Sequence, residues 1–99
     1  MHTLTTRLDL PLKTGVRTPV ALLGGTVTLV EAARDFLIYE DGTSGEVTGG
    51  LLRLERGSDV EELRFVSGSP MVQWGHSMAV FGQDSLTLSF FPPGETVQP

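Results

Sequence analysis

The sequence predicts a small all-β domain, an antiparallel β-sandwich or partly closed β-barrel of about eight short strands. Apolar and polar residues alternate at the two-residue period of a strand through most of the chain. Clusters of Gly, Asp, Ser and Pro interrupt that alternation at intervals near those of sandwiches and barrels. The stretch Ser69 to Phe91 then gathers most of the aromatic and sulfur-bearing side chains between two turn signals, as the core hairpin of such a fold would.

In chain order, Thr3 to Leu12 puts Leu4, Leu8, Leu10 and Leu12 on one face and Thr3, Thr5, Arg7 and Asp9 on the other, a half-buried strand. Pro11 has no N–H for a ladder and marks it as an edge strand, or as ending there. After the turn Lys13-Thr14-Gly15, Val16 to Leu23 reads as extended, with Pro19 demoting its first half to an edge or to irregular chain. Gly24-Gly25 suggests a bulge or sharp bend.

Thr26 to Glu40 has two readings. Thr28-Leu29-Val30-Glu31 has the form of a capping box, and Leu29, Ala33, Phe36, Leu37 and Glu40 recur near helical spacing, which would make the domain α+β. The β-formers on both flanks favour two strands instead, Thr26 to Val30 and Phe36 to Tyr39, separated by Arg34-Asp35.

Asp41 to Gly45 is a turn, and Glu46 to Glu55 a strand whose apolar phase shifts across Gly49-Gly50, as a bulge would shift it. A four-residue loop, Gly57 to Val60, would join it to Glu61 to Val66 with Leu54 opposite Leu63 and Leu52 opposite Phe65. The cost of that register is Arg53 facing Arg64 and Glu55 facing Glu62. Beyond the turn Ser67 to Pro70, even positions from Val72 to Val80, Trp74 and His76 among them, share one face. A three-residue loop, Gln83 to Ser85, opposes Val80 with Leu88 and Met78 with Phe90. Residues 1–91 form one domain and 92–99 a Pro-rich tail expected to be extended.

The 99 residues suffice for a single modest core. A net charge of −5 with seven scattered basic residues argues against nucleic acid, which needs clustered Lys and Arg, and against anionic membranes. No secretory leader is visible and there is no cysteine, so the expectation is a soluble cytoplasmic protein.

Chemistry finds few candidates. His76 and Ser77 are neighbours on a strand and point to opposite faces, so a Ser-His-Asp set with Asp84 would need a turn at Gly75. His2, His76 and the scattered carboxylates have no metal-ligand spacing, and the acidic turn Asp41 to Glu46 reads as a solvated hairpin tip before a calcium loop. The glycine pairs fit no phosphate-binding pattern. Neither a cofactor nor a metal is expected.

The functional hint lies on the face opposite Trp74, where Met71, Gln73, Ser77, Ala79 and Phe81 are small or apolar and need a cover: another sheet, a ligand or another chain. Arg17 and Pro70 stand in exposed loops. The expected function is a non-catalytic protein-binding module, such as an inhibitor, accessory subunit or assembly protein. Its partner would be another protein or a second copy, contacted through Met71, Gln73, Phe81, Arg17 and Pro70. A small barrel holding an apolar ligand is the second reading and a hydrolase using His76 the third.

Overall fold

The computed structural model describes residues 4–94, the side chains of 35 and 37 excepted. Its elements are β1 (Leu8–Leu12), β2 (Arg17–Val20), a single 3-10 turn (Ala21–Leu23), β3 (Gly25–Ile38), β4 (Ser44–Arg56), β5 (Asp59–Val66), β6 (Met71–Gln73), β7 (His76–Phe81) and β8 (Leu86–Phe90). The strands form two four-stranded antiparallel sheets, β1-β8-β7-β6 and β2-β3-β4-β5. Taken together the orders follow the chain, as in an up-and-down meander, with hydrogen bonding interrupted between β1 and β2 and between β5 and β6. The fold is therefore a sandwich and not a closed barrel. Both prolines that lie in strands sit where a missing donor is harmless, Pro11 in β1 and Pro19 in β2, each an edge strand.

The two inner faces make one core. Val27, Leu29, Leu52, Leu54 and Phe65 from the β3-β4-β5 side meet Met78, Val80, Leu86, Leu88 and Phe90 from β7 and β8, all buried. The core hairpin has the register that its apolar faces demand, Val80 opposite Leu88 and Met78 opposite Phe90.

Four details of the sequence reading are corrected. Leu4 to Arg7 is not strand, although Leu4 is buried in the core; Thr3 lies outside the described residues. Thr26 to Glu40 is neither helix nor two strands: β3 runs unbroken to Ile38, because its partner β4 continues opposite Arg34 and Asp35 down to Ser44. The bulge lies in β3 and not at Gly49-Gly50, since Leu29 pairs Leu52 while Glu31 pairs Leu51, leaving Val30 as the extra residue. Gly50 is the consequence, for a Cβ there would collide with the Glu31 carbonyl and come 2.9 Å from the Phe65 ring.

The fourth correction is the β4–β5 loop, which has two residues, Gly57-Ser58, and not four. The register moves by two, which keeps every side chain on its face but sets Arg53 opposite Glu62 and Leu52 opposite Leu63. The like-charge appositions disappear. Arg53 Nη2 instead reaches Glu62 Oε2 at 3.0 Å.

β3 and β4 outrun their neighbours. The β2 pairing reaches no further along β3 than Arg17 opposite Thr28, and the β5 pairing no further along β4 than Val66 opposite Gly49, so 34–38 and 44–48 project as a two-stranded arm. At about 3.3 Å per residue a 14-residue strand is long enough to span the molecule's longest dimension, 46 Å.

Candidate functional site

Trp74-Gly75 is a turn, and it splits the expected strand Val72 to Val80 into β6 and β7. Both residues have positive φ, 55° and 77°, as the tightest two-residue hairpin loop requires. The inward phase therefore flips: Met71 pairs Met78 and packs on the core, whereas Val72 pairs Ser77 and is 71% exposed. Among the described residues Trp74 is the one non-glycine with positive φ, a conformation that costs a residue with a Cβ. Its surroundings hold it there. The indole stacks on Phe90, carries the Arg56 guanidinium 5.5 Å from its centroid, and lies so close to Gly25 that a Cβ there would be 2.5 Å from the ring. Beside it a groove of about 420 Å³, lined by Leu54, Arg56, Asp59, Glu61 and Gln73, opens along the seam between β5 and β6.

The turn at Gly75 does not assemble a catalytic set. His76 is buried with Nδ1 3.0 Å from the Trp74 carbonyl, while the Leu4 N–H points at Nε2 from 3.5 Å. That arrangement makes Nδ1 the protonated nitrogen and occupies both with main chain. Ser77 lies on the opposite face, and Asp84, in the β7–β8 loop, is ion-paired with Arg34. Among the described residues no three His, Cys, Asp or Glu come together as metal ligands. In the acidic turn the Asp41 carboxylate accepts from the Thr43 hydroxyl at 2.6 Å and from its N–H at 3.0 Å. Those bonds hold its carboxyl below the ordinary value and shape the turn.

The outer face of β7 and β8 finds its cover within the chain. Arg7 lies over the rings of Phe81 and Phe91, 5.6 and 5.3 Å from their centroids, and its Nε donates to Asp9 at 2.7 Å. Beneath them Ser89, fully buried, donates to Asp9 Oδ1 at 2.5 Å, and Ala79 is fully buried. Of the residues expected at a partner surface, Phe81 is thus capped by Arg7, and Pro70, Met71 and Gln73 are brought together around β6. Arg17 stands apart on the other sheet, beside Glu55 and Thr26.

The sequence reading passed over the tip of the arm. Phe36 is 71% and Ile38 81% exposed, and alternation with Arg34 between them and the body puts all three on the face toward the other sheet. Arg34 bonds Glu46 across the arm at 3.0 Å and Asp84 in the β7–β8 loop, and these partners raise its pKa, the Glu46 hydrogen bond most. Tyr39, half exposed, lies over Gly45 at the end. Among the described residues no helix is long and apolar enough to cross a membrane. No family model, curated protein or solved structure matches the chain.

Proposed function

We propose that this domain is a non-catalytic protein-binding module whose contact surface is the overhanging β3–β4 arm. The observation that supports it most is the exposure of Phe36, Ile38 and Tyr39 at the end of a two-stranded ribbon whose base is fixed by the sandwich core. Isolated hydrophobic side chains on a surface are ordinary, but a cluster at the tip of a projecting element resembles the anchors of an interface. Glu40, Asp41 and Glu46 flank the tip, so the complementary partner presents an apolar patch with a basic rim.

Two features favour contact over the other readings. Side chains of the two sheets fill the space that an apolar ligand would need, Leu52, Leu54, Val80, Leu88 and Phe90 being buried to within 1%. His76 spends both ring nitrogens on main-chain groups. Affinity capture from the source organism tests the proposal: a partner held by the native chain should be lost on Ile38→Asp and on Phe36→Asp with the circular dichroism unchanged. Capture that survives both substitutions would overturn it, as would a catalytic activity abolished by His76→Ala in a folded protein.

A further inference from the structure

Of the four edge strands, three are blunted against pairing with another chain. Pro11 interrupts the donors of β1, Pro19 those of β2, and β6 is three residues long. β5 differs, with eight residues, Asp59–Val66, and no proline, glycine or bulge.

The groups on its free edge follow from the hairpin. A two-residue loop makes Arg56 and Asp59 the closing hydrogen-bonded pair, so the odd-numbered residues of β5 direct their N–H and C=O to β4. The Ser67 N–H, which donates to the Thr48 carbonyl at 2.7 Å, continues that parity. Val60, Glu62 and Arg64 therefore turn their main-chain groups outward, and among the described residues no strand lies beside them in the sheet.

We propose that a second copy of this chain pairs antiparallel along β5, about a two-fold axis at Leu63, to give one continuous eight-stranded sheet. Charge selects the register. An axis at Glu62 would oppose Glu62 with itself, and an axis at Arg64 would oppose two arginines. The axis at Leu63 sets Glu62 opposite Arg64 of the second copy, twice by symmetry, and the exposed Val60 (55%) opposite Val66 (38%), also twice. On the inner face Leu63 meets Leu63 and Glu61 meets Phe65, so no like charges are apposed. Within each copy Arg53 already holds Glu62 and Glu31 already holds Arg64, so the row of alternating charge continues across the junction.

This rests on the contact reading in taking a protein as the partner, but it uses the sheet edge and not the arm, so the two fail separately. Sedimentation velocity from low-micromolar to near-millimolar protein tests it, with circular dichroism to verify the fold of each variant. The native chain should pass from monomer to dimer over the series. Arg64→Glu should weaken dimerisation about tenfold, and the added Glu62→Arg should restore it. Arg64→Pro, which removes an outward N–H and leaves the β4–β5 ladder intact, should keep the chain monomeric. A native chain monomeric throughout would overturn the proposal, as would a dimer that neither Arg64→Glu nor Arg64→Pro weakens. Should the proline variant fail to fold, the charge reversal and its rescue decide.

Discussion

The indole of Trp74 lies nearly parallel to the ring of Phe90, 4° between planes and 6.0 Å between centroids, and it does so from a left-handed backbone conformation. The stack and the strain oppose each other in energy, so substitutions at this position separate them. Trp74→Ala should lose about 2 to 4 kcal/mol, toward the low end for a large aromatic because the ring is only half-buried. Trp74→Gly loses the same contacts but relieves the positive φ, and should be more stable than Trp74→Ala by about 1 kcal/mol. Urea unfolding of the two variants checks this. At a strand position with negative φ Gly is the more damaging replacement, so the order itself is diagnostic.

Two glycines should respond very differently to the same methyl group. At Gly50 a Cβ meets the Glu31 carbonyl beside the bulge and the Phe65 ring, and the carbonyl belongs to a paired backbone that has nowhere to move. Gly50→Ala should cost about 3 kcal/mol. At Gly42 the φ of 85° favours glycine but nothing lies within 4 Å, so Gly42→Ala should cost only about 1 kcal/mol. Thermal unfolding of the pair measures the difference, and equal losses would remove the close packing inferred at Gly50.

What could be read from the sequence was governed by how many residues agree. The β7–β8 register was legible because the competing loop, one residue longer, would set Thr87 and Ser89 opposite Val80 and Met78, whereas the three-residue loop matches all four apolar side chains. The β4–β5 register was not, because alignments two residues apart bury the same face, and the choice fell to turn chemistry: Gly57, with φ of 63°, closes a loop of two. The turn at Trp74-Gly75 was hidden since tryptophan rarely adopts positive φ, and Gly75 alone looked like a glycine inside a strand. The length of the arm was concealed for a related reason. Past the bulge at Val30 the pattern of β3 changes phase, and neither Arg34 nor Asp35 resembles a strand interior, yet β4 pairs with both. The cover of the outer face was missed because Arg7, which lies over Phe81 and Phe91, precedes the strands that it caps.

The Arg53–Glu62 pair offers a direct measure of that register. Both side chains are about half exposed, so their 3.0 Å contact should contribute only about 0.2 to 1 kcal/mol, and less in high salt. A double-mutant cycle with Arg53→Ala and Glu62→Ala should give a favourable coupling of that size. The cycle between Arg53 and Arg64, opposed in the four-residue-loop alignment, should show no direct cross-strand repulsion. Repulsive coupling there, with none to Glu62, would restore the alternative alignment.

Asp9 sets the expected response to acid. Its carboxylate accepts the Ser89 hydroxyl hydrogen bond and then that of Arg7, and these two donors hold its pKa below the ordinary aspartate value. A carboxyl whose folded pKa is depressed binds protons less readily than in the unfolded chain, so its contribution is complete above about pH 4. It is lost as the pH falls through the lower folded value. Half of the Asp9 side chain is exposed, so solvent screens the Arg7 contact, and the buried Ser89 hydroxyl carries more of the effect. Asp9→Asn and Ser89→Ala should both be less stable than the native chain near neutral pH and should converge toward it as the solution is acidified below about pH 4. Urea midpoints followed through the acid range test the sign: curves that stay parallel would mean that Asp9 titrates alike in the folded and unfolded chain. Arg7→Lys should leave most of that acid limb in place, because a lysine retains the charge over Phe81 and Phe91 and Ser89 still donates to the carboxylate.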